Sequence, residues 1–362
     1  MHRLMAGVSI LEHELSDLRL LVERQTGILL DCPNSALVAH VAEYLEAHEL
    51  DSAAALLERL RSGDQDPSIL PQFLDGILNT GTGFYRHPGA MNALARAVAP
   101  QIYARKSEDG PCTLRIWSAG CGTGEEAYSI AMALCDPGAS ATANGNGNGS
   151  ANGNAKERES AKEREKDAKE KNVASRGGVI DYSPAQSAPT PKDWSVHIVG
   201  SDLLSSAIET AERGLYPQSA LTGLPPATIR ACFSKIGNTN SAQNPADAAA
   251  NGNGSNSNSN GAHLLVKPRL RSLVTFNTMN LTKPVYIGRF DCIFCMDVLP
   301  HLSRAQRVAL LERLHLYLEP GGYLFLSQTE KLTAPNLNFR SETYDGYTFH
   351  RKPLAASAAY GR

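Results

Sequence analysis

A chain of 362 residues with 42% apolar and 20% charged side chains can build a sizeable core in one large domain with an appendage, or in two domains. Its formal charge of −2 gives no electrostatic case for a nucleic-acid partner, and no apolar run is long enough to span a bilayer. The seven cysteines lack framework spacing, and the N-terminus carries charges where a secretory signal needs an apolar core, so a reducing cytoplasm is the expected compartment.

From residue 9 to about 100 the pattern is helical. Leu11, Leu15, Leu18 and Val22 recur at helix spacing until Gly27. Leu37, Val41 and Leu45 make a second stripe. Ala54 to Leu60 makes a third, with Asp51 or Ser52 as its cap. Leu70, Phe73, Ile77 and Leu78 follow, and Pro88 opens a last helix with Met91, Leu94, Ala95 and Val98 on one face. The expected division is a helical domain over 1–88 and a larger domain over 89–362.

That larger domain is organised around LRIWSAGCGTGEEAYSIAMAL, Leu114 to Leu134. Leu114, Ile116 and Trp117 read as the end of a buried strand. Gly120, Gly122 and Gly124 then form a bare turn, and Ala127, Ile130, Ala131 and Leu134 line one face of a helix. A strand, a glycine turn and a helix open a doubly wound α/β fold, whose ligands sit beyond the carboxyl ends of the strands. Glu125 and Glu126 at the helix start repel a pyrophosphate but hold a cationic amino group. The spacing therefore favours S-adenosylmethionine, which carries an ammonium, over NAD or ATP.

Two stretches interrupt the pattern, about 138–192 and 237–262, rich in Gly and Asn or in alternating charge. They read as insertions looping from an intact domain. Trp194 to Ser201 is a strand with Asp202 at its carboxyl end, where an acidic side chain accepts from both ribose hydroxyls. Ala207 to Arg213 is a helix ending at Gly214, and Phe290 to Cys295 a central strand. Its C-x-x-C, Cys292 and Cys295, points to opposite faces and reads as core rather than as metal or redox chemistry. Ser303 and Gln306 are spaced as a capping box for a helix to Leu318. Pro320, Gly321 and Gly322 lead into a strand Tyr323 to Ser327, and Tyr344 to Lys352 alternates as an edge strand would.

Taken together, IWSAGCGTGEEAYSIAMAL, TGFYRHP, ERGLYP with FNTMNL, FDCIFCMDVLPHL and LEPGGYLFLSQTE resemble, in order, the chemotaxis-receptor protein-glutamate O-methyltransferases of the CheR type. The resemblance implies a Rossmann-like class I methyltransferase sheet, an N-terminal all-α domain and a small β subdomain inserted at about 215–276. By position it implies that Glu126 holds the methionine ammonium, with Gly120 and Gly122 in the cofactor turn, and that Asp202 holds the ribose. Asn280 and Leu281 would border the adenine. Thr82 and Arg86 would reach the methionine end and the reaction centre. Read alone, Asn280 could be a turn residue and Arg86 a surface charge; inside the matched motifs the functional role is preferred for both.

Four departures from the family pattern stand out. Thr80 replaces an asparagine, and Met296 and Asp297 replace Arg-Asn. Asp297 can still accept from an adenine amine or a ribose, whereas Met296 can only pack. His301 stands where a tyrosine is frequent near the transferred methyl. The arginine-rich second helix is replaced by Ser35 to Glu49, which carries Glu43, Glu46 and Glu49 and no Arg or Lys. An acidic surface there opposes docking of a glutamate-rich partner. The expectation is a monomeric, cytoplasmic enzyme that esterifies glutamates of a chemoreceptor or related signalling protein, with Arg86 and His301 at the reacting carboxylate. A cofactor-binding scaffold that has lost transfer and a small-molecule methyltransferase are the competing readings.

Overall fold

The computed structural model describes residues 10–62, 68–78, 81–109, 112–135, 190–191, 193–236, 263–284, 287–334 and 336–354. Both low-complexity stretches fall almost wholly outside the described residues, as does Thr80.

Helices α1 (Glu12–Thr26), α2 (Asn34–Ala47), α3 (Ala53–Arg61) and α4 (Ile69–Asp75) share a core built on Leu15, Leu18, Val22, Leu37, Val41, Leu56 and Phe73. Gly27 ends α1 in the left-handed conformation, φ 76°, and its N–H caps Glu23 O. Of the two candidate caps for α3, Ser52 is the one used, accepting from Ala55 N at 3.2 Å. Leu11, expected on the first stripe, is instead the exposed residue before α1. α4 stops at Asp75, short of Ile77 and Leu78, because Gly76 follows and glycine disfavours helix.

Pro88 opens α5 (Pro88–Ala93), which passes through a π-helical turn, Leu94–Val98, into α6 (Ala99–Asp109). Its inward side chains Met91, Leu94 and Val98 join the core under the sheet rather than that of the four preceding helices.

The strands are β1 (Thr113–Ala119), β2 (Ser195–Asp202), β3 (Leu215–Pro217), β4 (Phe233–Lys235), β5 (His263–Val266), β6 (Val274–Thr278), β7 (Phe290–Phe294), β8 (Leu318–Phe325), β9 (Arg340–Tyr344) and β10 (Tyr347–Arg351). Seven form one sheet in the order β6-β2-β1-β7-β8-β10-β9, parallel up to β8 and antiparallel beyond. β3, β5 and β4 form the small antiparallel sheet. Helices α7 (Glu125–Cys135), α8 (Ser205–Arg213), α9 (Pro226–Cys232), α10 (Pro268–Arg271) and α11 (Arg304–Tyr317) complete the order. Ser303 caps α11, accepting from Gln306 N at 3.4 Å.

The chain runs outward from β1 through β2 to β6, then returns to β7 on the other side of β1. A doubly wound sheet binds its ligand at such a reversal. Cys292 faces the core on one side of the sheet and Cys295 the core on the other, both as free thiols. Two expectations need correction. β8 starts earlier than Tyr323 and takes the Pro-Gly-Gly segment into an irregular pairing with β7. The strand expected at the edge is second from it. Asp345 and Gly346, both with positive φ, turn the chain tightly and lay the polar β9 against β10 as the true edge.

A candidate cofactor and methyl-transfer site

β1 ends where the glycines begin, and the turn is tied to the end of β2. Gly120 N and Cys121 N donate to Ser201 O at 2.8 and 2.9 Å, and Gly122 N donates to Asp202 Oδ2 at 2.9 Å. Gly120 has φ 83°, and a Cβ there would lie 2.5 Å from Val298 Cγ2. Gly124 has φ 96°, and its Cβ would lie 2.7 Å from Ala211 Cβ. At both positions the turn needs glycine for its backbone and for the space.

A cavity of about 660 Å³ opens above this turn. Thr82, Arg86, Gly120, Gly122, Glu126, Asp202, Asn280, Leu281, Met296, Asp297 and His301 all line it, so every expected site residue within the described residues meets in one place.

Its deep wall is acidic. Glu126 is held by Ser118, whose hydroxyl donates to Oε1 at 2.6 Å. Burial pushes the Glu126 carboxyl up to about 7, with Asp297 and Glu330 adding to the rise and Ser118 and Arg86 opposing it. Asp202 also receives Leu204 N at Oδ1, 3.0 Å away. Burial raises its carboxyl too, against the pull of the N–H groups of Leu204, Gly122 and Leu203. Carboxylates costly to ionise in a cavity wall are what a cationic ligand satisfies, so this wall fits the ammonium of S-adenosylmethionine.

Further out, Thr82 donates to Glu125 Oε2 at 3.1 Å, as Thr123 does at 2.7 Å, and this fastens the 81–87 loop to the glycine turn. Asn280 makes an Asx turn, with Oδ1 accepting from Thr282 N at 2.9 Å and Thr282 Oγ1 at 2.8 Å, while lining the cavity. Its turn role and its cavity position coexist. Leu281 O and Thr282 O are held by the two Nη groups of Arg313. Met296 is buried against the cavity. His301 lies at the rim, where its carbonyl accepts from Leu29 N at 2.8 Å. The segment after α1 thus closes that side, and Ile28 lines the cavity.

Arg86 and Asp297 face each other across the mouth. Arg86 Nη2 lies 3.2 Å from Asp297 Oδ2, and Nη1 donates to Gly81 O. Burial alone would raise the Asp297 carboxyl. The hydrogen bonds from His87 and Ser327 and the charges of His87 and Arg86 hold it below its ordinary value. Two residues here escaped the sequence reading: His87 and Glu330. His87 Nε2 lies 2.9 Å from Asp297 Oδ2. Glu330 accepts from the backbone N–H of Asp297, Leu299 and Ser327. No local pattern announces either.

The sheet order, the glycine turn, Glu126 in the first turn of α7 and Asp202 at the end of β2 give a Rossmann-like fold whose site fits S-adenosylmethionine. Comparison with known proteins narrows the class. Residues 80–144 and 253–347 match the family described as CheR methyltransferase, SAM binding domain. The chain is 26% identical over 317 residues to Chemotaxis protein methyltransferase 1 of Pseudomonas aeruginosa, covering 87% of this chain and 88% of that protein. It is 24% identical to Chemotaxis protein methyltransferase Cher2 of Pseudomonas putida, over 89% and 91% of the two chains. A chemotaxis protein methyltransferase of Borreliella burgdorferi is 22% identical over 90% of each. The resemblance seen in the motifs holds over nearly the whole length.

Proposed function

We propose that this protein esterifies glutamate side chains of a chemoreceptor or a related signalling protein, using S-adenosylmethionine. The observation that supports it best is the polarity of the cavity. Glu126 and Asp202 line its deep wall and suit a cation, while Arg86 at its mouth suits a carboxylate.

S-adenosylmethionine supplies an electrophilic methyl on a sulfonium. Glu126 binds the ammonium of the donor and Asp202 its ribose hydroxyls, while Asn280, Leu281 and Met296 flank the base. A glutamate is already ionised at neutral pH, so no residue need remove a proton. The work left to the chain is orientation and exclusion of water, and orientation can supply about 7–11 kcal/mol. Arg86 holds the incoming carboxylate, with His301 at the opposite rim. In this reading residues 1–88 form a helical domain that guides the substrate, and 89–362 carry the transfer.

The exposed Glu43, Glu46 and Glu49 leave α2 unsuited to an acidic partner. Cations follow cavity-lining residues along the chain: Lys283 follows Thr282, and Arg304 and Arg307 follow Leu302 at the start of α11. Arg307 Nε donates to Leu302 O at 2.8 Å, which ties it to that cavity-lining residue. Cations at a helix N-terminus work against the helix dipole, and an acidic partner would offset that cost.

The test pairs calorimetry with S-adenosylhomocysteine and tritiated-methyl transfer to purified chemoreceptor cytoplasmic fragments. Binding together with base-labile label in the receptor supports the proposal. Binding with no transfer to any fragment turns the reading to a cofactor-sensing scaffold.

A further inference from the structure

The mouth holds a cluster that carboxylate methylation does not in itself require. Arg86 Nη2 and His87 Nε2 reach the same atom, Asp297 Oδ2, at 3.2 and 2.9 Å. A carboxylate of the protein therefore occupies the guanidinium that a substrate carboxylate would seek.

The backbone is bent to place it there. Four non-glycine residues among the described residues have positive φ, and two of them are Asp297, at 59°, and Tyr85, at 51°, the neighbour of Arg86. That conformation is costly for a tyrosine and persists only where the surroundings impose it. Here they do: Tyr85 N donates to Ser129 Oγ at 2.9 Å, and Asp297 N donates to Glu330 Oε2 at 3.1 Å. The ion pair itself is too exposed to matter much for folding, with side chains 48% and 31% accessible. Two left-handed residues spent on a weak pair point to placement.

We infer that Asp297 is a positioning residue: it fixes the Arg86 guanidinium at the mouth while competing for its charge with the substrate carboxylate, and His87 steadies Asp297 from the other side. This rests on the methyl-transfer reading above. It has two consequences of opposite sign. Without the Asp297 charge, Arg86 is free to pair, so a carboxylate binds more tightly. Without the anchor the guanidinium swings, alignment is lost and turnover falls. A residue that merely supported the fold would weaken both.

The probe is N-acetyl-L-glutamic acid α-amide, whose one charge is the side-chain carboxylate. It is titrated onto the full chain saturated with S-adenosylhomocysteine, following arginine side-chain NMR signals, with Arg86 assigned through Arg86→Lys. Asp297→Asn should bind the probe about threefold to tenfold more tightly, the size expected for unmasking a half-exposed charge. In the receptor-fragment assay it should lower KM and cut kcat by about tenfold, a loss on the scale of a displaced orienting group. Asp297→Glu keeps the charge but moves the anchor, so it should bind the probe like the unaltered chain and still lose turnover. His87→Gln, which keeps a donor, should restore the turnover that His87→Ala loses. Probe binding by Asp297→Asn that is equal or weaker overturns the inference, as does an unchanged kcat. If the unaltered chain transfers no methyl, the methyl-transfer reading fails instead, and probe binding alone decides the role of Asp297.

Discussion

The deep wall of the cavity and its mouth are built in different ways. Glu126 and Asp202 are close to their anchors along the chain or across one strand pair: Ser118 on β1, and the glycine turn that β1 runs into. Both are half-buried where they line the cavity, and loss of solvent there is the largest cause of their raised carboxyls. Arg86, His87 and Asp297 are partly exposed and come from segments some 210 positions apart. Glu126 belongs to one strand-turn-helix unit and Asp202 ends a strand of its own, so each can be read from its local letters. The pairing within a mouth assembled by tertiary structure cannot, and Asp297 in it departs from the pattern of the proteins this chain resembles.

The sharpest break between the two regions is Arg86→Ala. If the mouth acts on the substrate and the wall on the cofactor, turnover should fall by about 10²- to 10³-fold, as when an electrostatic donor is lost from a transition state. Binding of S-adenosylhomocysteine should shift by no more than about threefold, because the lost charge is half exposed. Equal losses in both measurements would merge the two regions. Glu126→Gln is the converse. Calorimetry should show cofactor affinity weakened by roughly tenfold to a hundredfold, the range for losing a hydrogen bond to a charged group. Turnover at saturating cofactor should suffer far less.

Gly120→Ala addresses the turn that the wall depends on. The substitution places a methyl against Val298 on a backbone at φ 83°, and should cost about 1–3 kcal/mol of stability. A lowered Tm checks it. Gly81→Ala, where a Cβ meets nothing within 4 Å, is the control in the same cavity lining.

How much was legible follows the same division. The Leu114 to Leu134 motif carried its strand, turn and helix because all three are local, and Asp202 was found despite the long insertion because it ends a recognisable strand. Ser303 and Gln306 marked the start of α11. What stayed hidden depends on distant partners. His87 looked like any residue before a proline, yet it meets Asp297. Glu330 sits in an ordinary polar loop, yet gathers three backbone N–H groups from two loops. The alternation of Tyr347–Arg351 is real, but alternation does not say whether a strand has one neighbour or two. Here the Asp-Gly turn supplies the second.

The smallest effect is also the most specific to the wall. With its carboxyl raised from an ordinary 4.5 to about 7, Glu126 is protonated in the ligand-free protein where it would be ionised in the unfolded chain. The folded state then binds more protons than the unfolded one between those values, so this contribution to stability is present below about 4.5 and is lost as pH rises through about 7. Cofactor binding runs the other way, since an ammonium needs the anion. Affinity for S-adenosylhomocysteine should therefore drop by about tenfold per pH unit below about 7, the limit for one linked proton. Thermal melts across pH 5 to 8 should show this as opposing trends: the Glu126 share of ligand-free stability declines while the stabilisation added by S-adenosylhomocysteine grows. Glu126→Gln should abolish both slopes, because glutamine has no proton to exchange. A variant that kept the pH dependence of cofactor affinity would move the linkage to Asp202, the other carboxylate of the wall that burial has raised.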